Sequence, residues 1–183
     1  MTTPISWCCM RTKPATKDAH MTEQLPLLQE GNAPQKYVPI YRVTLVREGQ
    51  MPSYEQRIRC SADACRMLAT YLDGVDREHF VVFLLDQKNQ VIGLHTVSMG
   101  SLTASIVHPR EVFKAAILAN AATIICGHNH PSGDPQPSSE DRAITLRLAD
   151  AGKLLGINVV DHIIIGSAGK YFSFADAGLL GAA

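Results

Sequence analysis

Residues 41–46 (Tyr-Arg-Val-Thr-Leu-Val) alternate apolar and polar side chains, the two-residue period of a half-buried strand. Gly49 opens a turn, and residues 54–59 predict a second strand. Ser61 then reads as the N-cap of a helix that runs to about Leu72 and is closed by Gly74. Residues 80–85 form an unbroken apolar run, Asp86 to Asn89 carry turn chemistry, and residues 91–99 alternate again, which predicts a hairpin. Residues 102–107 give a further strand. Pro109 suits the first position of a helix ending near Leu118 or Asn120, because an N–H there would lack an intrahelical partner anyway.

The second half continues in the same rhythm. Residues 122–126 predict a short apolar strand, and Pro131, Gly133, Pro135 and Pro137 a stiff turned loop. Ser138 caps a helix to about Leu155, with Gly152 a weak point inside it and Gly156 its stop. Residues 157–165 read as a buried strand, 171–173 as a short one, and 174–180 as a final helical turn or two. Strands interleaved with three helices predict an α/β fold, a mixed and largely antiparallel sheet sandwiched by helices. Residues 1–35 lack periodicity and read as a flexible N-terminal arm that includes Trp7. The domain then occupies residues 36–183, and Met21 stands as an alternative start to Met1 that intact mass would settle.

Composition narrows the classes. A chain of 183 residues with 46% hydrophobic content can build one domain with a real core. Seventeen basic and seventeen acidic residues cancel, which removes the case for a broad basic face on nucleic acid. Arg57, Arg59, Arg142 and Arg147 read as solvated. No apolar run reaches the roughly 20 residues that span a bilayer. No charged-then-apolar leader opens the chain, so the expected compartment is the cytoplasm and no membrane partner is expected. The five cysteines match no framework, and Cys60, Cys65 and Cys126 read as small buried hydrophobes in a reducing environment.

The chemistry concentrates in Gly127-His128-Asn129-His130-Pro131 and Ser138-Ser139-Glu140-Asp141. Alternate side chains of an extended segment share a face, so His128 and His130 can converge. With Asp141 they supply three ligands to one divalent metal and leave the fourth position open, as catalytic zinc requires. Such a cation lowers the pKa of its water from about 15.7 to about 7. A hydrolase also needs a carboxylate to move the proton and a donor for the oxyanion. Ser138, one turn before Asp141, is a candidate donor. Ser-x-x-Asp is equally a capping box, and capping alone explains the pair.

His128-x-His130-Pro131, six residues, then Ser138-x-x-Asp141 resembles the JAMM (MPN-plus) metalloproteases. The longer string His128 to Pro135, with Asp161-His162 downstream and Pro109-Arg110-Glu111 upstream, is similar to the RadC-like branch of bacterial proteins. The resemblance spans roughly residues 40–180. It implies a cytidine-deaminase-like layering, one zinc ion held by His128, His130 and Asp141, and Ser138 assisting the intermediate. It also implies a general base far upstream at the start of an apolar strand, where Glu78 fits. Glu111 competes, but helix-dipole stabilisation explains it more simply, and Glu140 stands too close to Asp141 to face the metal. Asn129 replaces the Ser or Thr of the eukaryotic isopeptidases and agrees with the RadC-like branch. Longer members carry a helix-hairpin-helix region associated with DNA, which has no match here.

The residues therefore point to a zinc metallopeptidase or isopeptidase acting on an unidentified peptide or protein. A non-catalytic metal-binding interaction module and a DNA-repair accessory protein are the competing classes. Nucleic acid is disfavoured by charge and suggested only by family association. Asp161 and His162, neighbours on a strand, must face opposite sides, and one can support a metal ligand or make a core hydrogen bond. His95 and His108 read as surface or capping residues.

Overall fold

A computed structural model describes residues 38–52, 56–100 and 107–180. The chain divides into two units, Met1–Tyr41 and Arg42–Ala183, and among the described residues every helix and strand belongs to the second. In chain order these are α1 (Ser61–Tyr71), β1 (His79–Leu85), β2 (Val91–Met99), α2 (Pro109–Leu118), β3 (Thr123–Asn129), α3 (Ser139–Leu155), β4 (Asn158–Ile165) and β5 (Tyr171–Ser173). The strands form one sheet in the order β2-β1-β3-β4-β5. β1 runs antiparallel to both β2 and β3, β3 and β4 are parallel, and β5 returns antiparallel to β4. This is the expected mixed, largely antiparallel sheet. The single parallel pair needs a crossover, and α3 supplies it.

The apolar pattern explains the order. β1 is buried from Phe80 to Leu85, so it must be covered on both faces, and it lies inside the sheet. Phe80, Val82 and Leu84 point to one side and pack with Val112, Phe113 and Ala116 of α2, Cys126 and Leu148 of α3. Val81, Phe83 and Leu85 point to the other and pack with Ala64, Met67 and Leu68 of α1 and Ile163. Each such large apolar side chain contributes roughly 1.5–3 kcal/mol when fully buried. β2, at the edge, is only partly buried.

Several expectations are corrected. Residues 41–46 form no strand, and Val43, Leu45 and Val46 are exposed; alternation alone does not make a ladder without a neighbour to pair with. Residues 49–52 form no turn. Residues 53–55 and 101–106 lie outside the described residues, so most of the strand expected over 102–107 does too. Of residues 56–59, only Arg57 makes a bridge, to Gln90. Cys60, not Ser61, is the N-cap of α1, and Ser61 Oγ instead donates to Asp176 Oδ2 at 2.5 Å. Cys60 is exposed while Cys65 and Cys126 are buried, and all three are free thiols. Residues 174–180 make turns rather than a helix, held by Leu179 N–H to Phe174 O at 2.8 Å. The strand expected to stop at Cys126 continues to Asn129 and so carries His128 into the sheet. No helix among the described residues is long and apolar enough to cross a membrane.

Candidate metal centre

Two elements present the three ligand candidates. β3 runs from its apolar middle, Ile124 to Cys126, into polar residues as it leaves the core, so His128 stays buried while His130 reaches the rim. Pro131 then ends the extended run. The loop that follows is held by His130 O accepting from Gly133 N at 2.9 Å and by Gly133 O accepting from Ser167 N at 2.9 Å. That shape brings the Asp134 carbonyl to His130, whose Nδ1–H donates to it at 2.7 Å. The other ring nitrogen, Nε2, is left to face inward.

α3 starts on Ser138, whose Oγ accepts from Asp141 N at 3.1 Å while Ser138 N donates back to Asp141 Oδ2 at 2.8 Å. The expected capping box is real, and it serves the site: it turns the carboxylate of Asp141 toward the histidines. Asp141 Oδ1 lies 3.2 Å from His128 Nε2, and Oδ2 lies 3.4 Å from His130 Nε2. The two Nε2 atoms are 3.0 Å apart. One ligand atom from each residue can be chosen so that all lie within 4.8 Å of one another.

Electrostatics and hydrogen bonding test whether a cation fits. Burial alone would push the Asp141 carboxyl up, but the imidazoles of His128 and His130 and the Ser138 hydroxyl hold it well below the usual carboxylate range. Asp141 also raises His130 above its ordinary value, against burial, and the Glu78 carboxylate adds to that rise. The Asp141 carboxyl lies wholly inside the protein. Its Oδ2 takes both bonds from Ser138, whereas its Oδ1 is buried with no hydrogen-bond partner. An orphaned buried acceptor is costly and calls for an explanation. A divalent cation shared with two imidazole nitrogens supplies one, and two nitrogens with one carboxylate oxygen is a donor set suited to zinc with an open position.

The carboxylates weighed as bases fall in different places. Glu78 is half-buried and immediately precedes β1, near enough for its charge to bear on His130. Asn129 holds the backbone on both sides of it: its Oδ1 accepts from His79 N at 2.9 Å and its Nδ2 donates to Arg77 O at 3.0 Å. Glu111 is committed to Lys114 at 2.5 Å on the exposed side of α2, which lowers its pKa. Glu140 is exposed and accepts from Ser139 Oγ at 2.9 Å. Ser138 Oγ donates to Asp141 Oδ2 at 2.6 Å, so its one proton points at a ligand candidate.

Asp161 and His162 face opposite sides as expected. Asp161 accepts from Ser173 Oγ and Ala175 N, at 2.7 and 2.9 Å. His162 turns to the metal side, where its Nε2 meets His128 Nδ1 at 2.9 Å and its Nδ1 meets Thr145 Oγ1 at 2.6 Å. Burial, with His128 adding to it, pushes His162 well below the ordinary imidazole value. Thr145 was not among the residues singled out in the sequence. Its position four residues after Asp141 on the same helix face was the available signal. His108 caps α2, accepting at Nδ1 from Arg110 N at 3.2 Å.

The RadC-like JAB domain family matches residues 58–179, which include every residue of this centre. The chain belongs to that family. The RadC-like JAB domain seen here is similar to UPF0758 proteins from several bacteria. It is 52% identical to one from Desulforamulus reducens over 123 residues, 67% of this chain and 54% of that protein. It is 46% identical to one from Geobacillus thermodenitrificans over 165 residues, 88% of this chain and 72% of that protein. For Listeria monocytogenes the figures are 49% over 137 residues, 75% of this chain and 59% of the relative. In the first and third of these the matched region spans little more than half of the relative's length.

Proposed function

We propose that this RadC-like JAB domain is a zinc-dependent hydrolase of amide bonds, a metallopeptidase or isopeptidase. One observation carries the reading: a buried carboxylate, orphaned at Oδ1, faces two imidazole nitrogens aimed at the same point. His128, His130 and Asp141 would hold the ion. When bound, zinc supplies Lewis acidity toward a water and toward the scissile carbonyl oxygen. Glu78, its flanking backbone held by Asn129, takes the proton from the attacking water and returns it to the departing amine. Ser138 rotates its hydroxyl from Asp141 Oδ2 toward the oxygen that gains charge.

Metal analysis of the purified protein, combined with a peptide-library cleavage screen, tests this reading. One equivalent of zinc and cleavage by the wild type are expected. Glu78→Ala should keep the zinc and lose turnover, and Asp141→Ala should lose both. Full zinc occupancy in Asp141→Ala would overturn the ligand assignment, and undiminished cleavage by Glu78→Ala would overturn the base.

A further inference from the structure

Behind the ligand set lies a second, wholly buried layer. Thr145 Oγ1 lies 2.5 Å from the backbone carbonyl oxygen of Asp141, His162 Nδ1 lies 2.6 Å from Thr145 Oγ1, and His162 Nε2 lies 2.9 Å from His128 Nδ1. Thr145, His162 and His128 are each 0% exposed. The chain starts on the backbone of one ligand residue and ends on the ring of another, so it closes a loop around the centre.

The order of protons in that loop follows from valence. A carbonyl oxygen only accepts, so the single hydroxyl proton of Thr145 goes to Asp141 O. Thr145 Oγ1 must then accept from His162, which places the His162 proton on Nδ1. A neutral imidazole protonated at Nδ1 presents a lone pair at Nε2, and that lone pair accepts from Nδ1–H of His128. His128 is left with its lone pair at Nε2, the atom that faces Asp141 and His130. Starting from the metal side gives the same answer, since a ring ligating through Nε2 keeps its proton on Nδ1. Both ends of the chain agree.

Packing fixes the rings as well as the protons. Phe80 stacks on His128 at 5.9 Å between centroids and meets His162 edge-on at 5.4 Å, while Phe174 stacks on His162 at 5.1 Å and 9°. Stacked on these faces and fully buried, both imidazoles are held against rotation out of their planes. We propose that His162 and Thr145 are positioning residues of the metal centre: they lock His128 in the Nδ1–H tautomer and so aim its Nε2 lone pair at the ion. The proposal rests on the zinc reading above. Without the Thr145 hydroxyl, His162 can carry its proton on Nε2, which forces the His128 proton onto Nε2 and blocks the ligand atom.

The test uses the zinc-loaded 183-residue chain and reads metal rather than turnover. Chelator competition gives the zinc affinity of wild type, Thr145→Val, Thr145→Ser and His162→Leu. Loss of an outer partner of a ligating histidine weakens metal binding about 10- to 100-fold, and Thr145→Val and His162→Leu should both fall in that range. Thr145→Ser, which restores only the hydroxyl, should recover affinity close to wild type. Long-range proton–nitrogen NMR of the zinc-loaded wild type should show a slowly exchanging ring N–H on Nδ1 of His128. If His162→Leu fails to fold, the Thr145 pair and the NMR signal decide. Wild-type affinity in Thr145→Val, or failure of Thr145→Ser to restore it, overturns the positioning role while leaving the metal reading intact. A wild type that binds no zinc overturns both.

Discussion

At the scale of single residues, Asp161 and His162 show how far alternation carries and where it stops. Adjacent residues on β4 must diverge, and they do, one to Ser173 and Ala175, the other to His128 and Thr145. The sequence could not say which of the two would back a metal ligand, because that depends on which face α3 covers. Asp161 has its own consequence. Burial raises its pKa even though Ser173, Ala175 N and His162 N donate to it. A raised folded-state value means that its contribution to stability is fully present below the unfolded value of about 3.9 and is lost as pH rises through the folded value. Asp161→Asn abolishes that loss and keeps acceptors for the two backbone N–H groups. Urea unfolding of both proteins from about pH 3.5 to about pH 7 should show the wild type losing stability relative to the variant as pH rises. A constant difference across that range would show that Asp161 does not titrate between the two states.

Elements were legible where a hydrophobic run had both a partner and a punctuating residue. The hairpin of β1 and β2, Pro109 opening α2, and Ser138 and Gly156 bounding α3 all lie where their chemistry puts them. Residues 41–46 have the pattern without the pairing, and no local signal reports a missing neighbour. Gly152 is the instructive case. Within α3 it looks like a weak point, since Gly costs roughly 1 kcal/mol against Ala in a helix interior. The structure gives the reason: a Cβ there would stand 2.5 Å from the Ile157 carbonyl oxygen and 3.3 Å from Phe113 Cζ. The last turns of α3 therefore pass too close to the entry of β4 for any side chain, and the obstructing atom is backbone. Gly152→Ala should destabilise the fold by about 1–3 kcal/mol, the usual cost of overpacking, instead of stabilising it by helix propensity. A denaturant midpoint at or above that of the wild type would refute the close-approach reading.

For the whole molecule, what ties the sheet to α3 is in part the centre itself. His128 comes from β3 and His130 from just beyond its end, Asp141 from the first turn of α3, and the supporting His162 from β4. An ion on these ligands ties the end of β3 to the first turn of α3, with β4 behind them through His162, so binding should register as global stability. By linkage a ligand at 100 times its dissociation constant adds about 2.7 kcal/mol, which for a domain of this size raises Tm by on the order of 10 °C. Thermal melts with and without excess zinc should show that rise in the wild type and in Glu78→Gln, whose proposed task is proton transfer. Asp141→Asn should show little of it, because a neutral amide replaces the carboxylate whose Oδ1 is buried and unsatisfied in the wild type. It retains an oxygen able to accept from Ser138 N, so a fold that survives the substitution separates metal binding from capping. An equal zinc-dependent rise in Asp141→Asn would place the stabilising ion elsewhere, and with it the chemistry assigned to this end of the sheet.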